Sequence, residues 1–106
     1  MLAAREKVKR LERYLANDEP VDPVFEKTMD KLIEREVTRL VELKSRLEQQ
    51  LFQFENQHAI KSPEFHARFE RGEMGDTMDF VEWSATYEMV VNLNKRLALL
   101  QEGASR

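Results

Sequence analysis

An all-α fold is predicted by how rarely helix-breaking residues occur and by how regularly apolar residues recur. The chain has 106 residues, of which three are glycine and three are proline. An all-β fold needs a turn about every 8–12 residues, so this scarcity of breakers indicates long helices. Apolar residues recur at steps of three and four, as amphipathic helices require. We expect a long helical hairpin with short flanking helices, which completes a helical bundle by dimerisation.

Length and composition narrow the class of protein. We expect residues 1–106 to form a single helical domain, because a chain of this length holds one core at most. Its 42% hydrophobic and 35% charged content suits a folded, strongly solvated protein. Cysteine is absent, which excludes disulfides and thiolate metal sites. No apolar run approaches the roughly 18 residues of a membrane span, and the first residues lack the apolar segment of a signal peptide. We therefore expect a cytoplasmic protein that does not contact a membrane.

The first predicted element is a short helix over residues 1–16, followed by a linker over 17–23. The helix carries a narrow apolar stripe, which cannot stabilise an isolated helix of this length. Pro20 and Pro23 remove backbone N–H donors and push the residues before them out of the helical region. The linker therefore separates this helix from the next.

A single long helix is predicted over residues 23–57, because no glycine or proline occurs between Val24 and Pro63. At 1.5 Å per residue it is roughly 50 Å long and needs an antiparallel partner, either the last helix of the chain or a second copy. Its apolar residues follow a heptad seam with one polar interruption. We expect this seam to be the oligomer interface, formed by Ile33, Val37, Leu40, Leu47, Leu51 and Phe54.

A third helix is predicted over residues 63–72. The Ser62 side chain is expected to cap it, because a serine oxygen accepts a free backbone N–H at a helix start. Pro63 supplies a backbone angle that suits the first turn. Gly72 and Gly75 then allow the backbone to leave the helical conformation. An acidic turn should follow this helix.

The last helix is predicted over residues 77–101, with Asp76 or Thr77 as its cap. Aromatic residues lie along it at spacings of three and four, at Phe80, Trp83 and Tyr87. Residues with this spacing belong to a core more often than to a binding surface, although tryptophan and tyrosine also suit partner contacts. Both interpretations remain open from the sequence.

Charge is distributed unevenly, although the formal net charge is only −3. Residues 1–14 have a net charge of +3, whereas residues 64–88 have a net charge of −5. Such asymmetry can steer a basic partner toward the acidic half. The simpler interpretation is that these charges occupy ordinary solvated helix faces.

Catalytic and metal-binding patterns are weak. Neither His58 nor His66 stands beside a serine nucleophile with a spaced carboxylate, so we expect no enzymatic activity and no cofactor. Glu55 and His58 form Glu-x-x-His, a unit of di-metal sites in helical bundles. Such a site needs a second copy of the motif, which only a second chain could supply. We expect no metal, and leave open whether Glu55 and His58 join a site across a dimer.

The segment from Ser62 to Leu100 resembles the small helical antitoxin components of prokaryotic toxin–antitoxin pairs. The shared pattern is S-x-E-F-x-x-R-F-x-x-G-E-x-G-D-x-x-D-F-x-E-W, followed by a helix with a tyrosine. It comprises Ser62, Glu64, Phe65, Arg68, Phe69, Gly72, Glu73, Gly75, Asp76, Asp79, Phe80, Glu82, Trp83 and Tyr87. The resemblance implies a protein without enzymatic activity that binds and silences a small toxin, often a nuclease. The chain departs from the family in its longer amino-terminal region.

Three functions follow from these observations. The first is an antitoxin-type protein that binds a small basic toxin through Glu73, Asp76, Asp79, Phe80, Glu82, Trp83 and Tyr87. The second is a homodimeric helical scaffold that uses the heptad seam. The third is a regulator that contacts nucleic acid through Arg5, Lys7, Lys9, Arg10 and Arg13, although the net negative charge argues against nucleic acid as a partner. The identity of the partner and the parallel or antiparallel association stay open.

Overall fold

The computed structural model describes residues 3–17 and 20–101. These residues form four helices: α1 (Ala4–Leu15), α2 (Pro23–His58), α3 (Ser62–Glu70) and α4 (Met78–Gln101). No strand occurs among them, so the predicted all-α class is confirmed. Residues 18 and 19 of the predicted linker lie outside the described residues, as do positions 1, 2 and 102–106 of the predicted domain.

The helices begin and end close to the predicted positions. Helix α2 extends one residue beyond the predicted end, and the next residue, Ala59, has a left-handed φ of 55° that stops it. Helix α3 begins one residue earlier than predicted and ends two residues earlier. At the start of α2, the Phe25 N–H donates to Asp22 Oδ1 over 2.9 Å. Asp22 is therefore the cap of the long helix, and Pro23 occupies its first turn.

The chain divides into two compact units, Met1–Leu32 and Ile33–Arg106. In the first unit, the rings of Tyr14 and Phe25 lie 6.1 Å apart and are tilted against each other. Helix α1 has no buried residue. A groove of mainly apolar side chains lies in this unit, lined by Leu11, Asp22, Val24, Phe25, Thr28, Met29 and Leu32.

The second unit contains the hydrophobic core, to which α2, α3 and α4 contribute. Its buried apolar residues are Leu40, Leu47, Leu51, Phe65, Trp83, Val90, Leu93 and Leu97. They recur at steps of three, four and seven on α2 and α4, which places them on one face of each helix. Burial of these two faces against each other is the main favourable contribution to the folding of this unit.

Helices α2 and α4 run antiparallel within the second unit. Trp83, near the start of α4, stacks on His58 at the end of α2. Toward the other end of α4, Arg96 lies near Glu36 of α2. A hydrogen bond and the charge of Arg39 hold the pKa of the Glu36 carboxyl below its ordinary value, and the charges of Arg35 and Arg96 lower it further. The predicted antiparallel partner is therefore the last helix of the same chain.

The predicted oligomer seam of α2 is largely occupied by this intramolecular packing. Leu40, Leu47 and Leu51 are buried in the core of the chain. Val37 and Phe54 are half-buried and pack against that core. Ile33 differs, with 44% of its surface exposed. The heptad pattern thus marks, for the most part, the face of α2 that packs on α4 of the same chain.

None of the helices within residues 3–17 and 20–101 is both long enough and apolar enough to cross a bilayer.

Candidate functional site

The connection between α3 and α4, residues 71–77, is a tight turn that we call the elbow. The Gly72 N–H donates to the Phe69 carbonyl and the Glu73 N–H donates to the Arg68 carbonyl, each over 3.0 Å. This pair of bonds is the Schellman arrangement, which requires a left-handed residue just after the helix. Gly72 supplies it with φ 77°. The direction in which the chain leaves α3 is therefore defined by backbone hydrogen bonds.

The cap of α4 is Thr77 and not Asp76, which decides between the two predicted candidates. The Phe80 N–H donates to Thr77 Oγ1 over 3.4 Å, and the Val81 N–H donates to the Thr77 carbonyl over 3.0 Å. Gly75, with φ 78°, turns the chain into this cap. Asp76 is exposed and keeps its carboxylate free of helix capping.

An aromatic cluster holds together the two helices that flank the elbow. Trp83 and Phe65 are completely buried and stack with ring centroids 3.7 Å apart and planes within 1°. Phe54 stacks on Trp83 at 5.5 Å, and His58 lies 5.4 Å from it. Three helices therefore meet at one indole ring. This packing fixes α3 and α4, the two helices that flank the elbow, against each other and against α2.

Ser62 has a different role from the predicted helix cap. It is the first residue of α3, and the residue before it, Lys61, makes no side-chain cap. Its hydroxyl accepts a hydrogen bond from Trp83 Nε1 over 3.0 Å, and its own N–H donates to Glu55 Oε2 over 2.8 Å. The cap prediction is wrong because a buried indole N–H needs an acceptor and Ser62 is the residue beside it.

The Glu-x-x-His pair of α2 is drawn into the same packing. The Glu55 carboxylate accepts the Ser62 N–H. The His58 ring packs edge-on to Phe80 at 5.2 Å as well as stacking on Trp83. Its Nε2 atom is buried without a hydrogen-bond partner. In this arrangement Glu55 and His58 stabilise the α2–α3 turn and the aromatic cluster.

The seven predicted partner-binding residues fall into two groups in the structure. The carboxylates are all exposed, in the elbow and in the first turns of α4, at Glu73, Asp76, Asp79 and Glu82. The aromatic residues are not: Trp83 is buried, while Phe80 and Tyr87 are half-buried and pack against the core. Trp83 therefore cannot reach a partner in this conformation. The acidic part of the predicted site is accessible and most of its aromatic part is internal.

Two apolar residues beside the carboxylates were not among the predicted partner-binding residues. Met78 is 78% exposed and Val81 is 46% exposed. A helical wheel could have identified Val81, which lies two residues before Trp83 and therefore about 160° around the helix from it. Once Trp83 is assigned to the core, Val81 must point away from it. Met74 differs from both because it packs against the core.

The elbow and the first turns of α4 carry a concentrated negative charge. Four carboxylates lie between residues 71 and 82, against one guanidinium, that of Arg71. Arg71 forms an ion pair with Glu73. Asp79 lies in the first turn of α4, where the helix dipole favours a negative charge. The surface suits a cationic partner better than an anionic one such as nucleic acid.

The basic residues proposed as a nucleic-acid contact lie on α1, outside this site. All five are exposed, at Arg5, Lys7, Lys9, Arg10 and Arg13. Glu6 and Glu12 lie on the same short helix and reduce its positive field.

Comparison with known proteins adds no relative to this description. No protein-family model, curated protein or solved structure matches the chain. The assignment of the elbow as the candidate site depends on the geometry, exposure and charge of the residues described above.

Proposed function

We propose that this chain is an antitoxin-type interaction protein whose acidic elbow binds a basic surface of a small toxin. The observation that carries the proposal is a set of exposed carboxylates on the elbow and the first turns of α4, next to helices that the completely buried Phe65 and Trp83 hold together. A rigid display of charge loses little conformational entropy on binding, which favours affinity.

Charge and apolar contact have separate roles in the proposed complex. The carboxylates accelerate association and orient a cationic partner, because opposite potentials steer the encounter. Met78 and Val81 supply apolar surface that becomes buried on binding, which slows dissociation. They replace Trp83 as the proposed anchors, since Trp83 is already used in the core.

The proposed mechanism is occlusion. A toxin that acts on nucleic acid must present a basic surface to its substrate. An acidic elbow bound to that surface excludes the substrate by competing for the same cations. The resemblance of Ser62–Leu100 to small antitoxins supports this choice of partner class.

Charge reversal on the elbow and the first turns of α4 should weaken the proposed complex at least about tenfold, because like charges are then brought together across the interface. The test variant is Asp76→Lys with Glu82→Lys, both exposed positions outside the core. The matched control is Glu34→Lys with Glu48→Lys, exposed carboxylates on α2. Binding is measured by co-purification and calorimetry with the product of the adjacent gene, and function by relief of that product's toxicity in cells.

The two double variants make the same change in net charge, so a general charge effect would weaken both equally. Equal loss in both, or unchanged binding in the elbow variant, would contradict the proposed surface. A neighbouring gene product that neither binds the wild-type chain nor is toxic alone would contradict the antitoxin function.

A homodimeric scaffold is the second candidate function, and a specific surface favours it. Val41 and Phe52 are both exposed apolar residues of α2, and Phe52 is 59% exposed. They lie eleven residues apart, about three helical turns, and so share one side of the helix. Pairing of this side with a second chain would complete a larger bundle and cover the two side chains.

Phe52→Glu should convert such a dimer to a monomer, because a buried, unpaired carboxylate at the contact is costly. Leu99→Glu is the matched control, since Leu99 of α4 is also highly exposed. Light scattering after size-exclusion chromatography gives the mass of each. A wild-type chain that is monomeric at high concentration would exclude the scaffold.

A further inference from the structure

A histidine and two glutamates meet where α3 packs on α4. His66 Nε2 lies 3.2 Å from Glu88 Oε1 of α4 and 3.3 Å from Glu70 Oε1, one turn further along α3. All three potential ligand atoms lie within 4.8 Å of one another. Within residues 3–17 and 20–101, these three side chains are the one group of histidine, cysteine or acidic residues whose ligand atoms lie close enough together to hold a metal ion. The sequence did not suggest it, because Glu88 is 22 residues from His66.

The histidine ring is held in place, whereas the carboxylates can adjust. The His66 ring packs on Tyr87 with centroids 4.9 Å apart, and its side chain is only 22% exposed. Both glutamate side chains are 58% exposed. Phe65 and Trp83, the completely buried stacked pair, fix the two helices next to the cluster. The three side chains therefore form a nearly preformed ligand set that is open to solvent on one side.

A hydrogen bond from the histidine ring accounts for only one of the two close nitrogen–oxygen contacts. A single ring nitrogen carries at most one proton, so Nε2 can donate fully to one of the two carboxylates and not to both. The other carboxylate then faces a like charge across the ring nitrogen. A divalent cation between the three atoms would be bound by all of them and would compensate both negative charges.

The distances indicate which class of cation fits. Zinc binds histidine nitrogen and carboxylate oxygen at about 2.0–2.2 Å with tetrahedral geometry, so its ligand atoms lie roughly 3.3–3.6 Å apart. The two observed nitrogen–oxygen distances are close to that range. An imidazole ligand disfavours Ca²⁺ and Mg²⁺, which prefer oxygen ligands. We infer that His66, Glu70 and Glu88 form a three-ligand site for zinc or a similar transition-metal ion, which ties α3 to α4.

The test uses Zn²⁺ alone with the untagged full-length chain. Calorimetry should show one Zn²⁺ bound per chain, and Zn²⁺ should raise the melting temperature because it binds the folded chain preferentially. His66→Ala and Glu88→Gln should each weaken binding about tenfold or more and abolish the shift. Glu64→Gln is the matched control: Glu64 is an exposed carboxylate of α3 paired with Arg68, outside the cluster.

A second readout separates metal binding from folding. Circular dichroism without metal should be the same for all variants, because none of the substituted side chains belongs to the buried core. Co²⁺ should give tetrahedral visible absorption in the wild type and in Glu64→Gln, and not in His66→Ala or Glu88→Gln. Zinc binding that persists in His66→Ala would overturn the site. So would equal stabilisation by Mg²⁺ and Zn²⁺, or no binding of Zn²⁺ to the wild-type chain.

Discussion

Trp83→Ala is expected to lower the free energy of unfolding by about 3–5 kcal/mol, the usual cost of removing a large aromatic side chain from a core. The indole is completely buried and contacts four rings, those of Phe54, His58, Phe65 and Phe80. Its loss also leaves Ser62 Oγ without its donor. For a domain of roughly 100 residues each kcal/mol corresponds to about 4–8 °C, so the melting temperature should fall by at least about 12 °C.

Urea denaturation followed by circular dichroism measures this change, since Trp83 is the only tryptophan and its removal eliminates the fluorescence signal. Met78→Ala is the control, as Met78 lies on the same helix and is largely exposed; it should change stability by less than about 0.5 kcal/mol. An equally small effect of Trp83→Ala would mean that the aromatic cluster is not the core that holds α3 and α4 together.

Leu40→Ala is expected to cost about 2–5 kcal/mol, because Leu40 is 1% exposed and its removal leaves a cavity between α2 and α4. Ile33→Ala should cost much less. Both residues belong to the heptad seam that the sequence predicts as an oligomer interface, yet Ile33 is 44% exposed. Comparing the effects of Leu40→Ala and Ile33→Ala on stability therefore distinguishes a seam that packs within the chain from a seam that joins two chains.

The comparison is made by denaturation at several protein concentrations. Packing within the chain predicts a large Leu40→Ala effect that is independent of concentration. If the seam joined two chains, the stability of the wild type would rise with concentration, and Ile33→Ala would be nearly as harmful as Leu40→Ala.

The elbow shows how far local sequence signals extend. Gly72 and Gly75 marked the turn correctly, because positive φ angles are inexpensive for glycine and the requirement is local. Thr77 was one of the two predicted caps of α4, because the requirement for a cap is also local. Ser62 was misassigned because its partner, Trp83, is 21 residues away. A capping rule considers only the neighbouring backbone and cannot detect such a contact.

The same limit applies to the candidate sites. The acidic character of the elbow and the first turns of α4 can be read directly from Glu73, Asp76, Asp79 and Glu82, since charge is a property of residue type. Whether an aromatic ring anchors a partner or belongs to the core cannot be read from the sequence, because Trp83 and Phe80 have the same helical spacing in either case. The meeting of His66 with Glu88 likewise depends on how two helices pack.

The sequence by itself determined the helical class, the approximate bounds of four helices and the acidic turn between the last two, because helix propensity, capping and charge act over a few residues. Tertiary structure alone decided that the apolar face of α2 packs on α4 of the same chain, that Trp83 is internal, and that His66, Glu70 and Glu88 converge. These outcomes depend on contacts between residues far apart in the chain, where many pairings of apolar faces satisfy the same periodicity and only the packed core selects one.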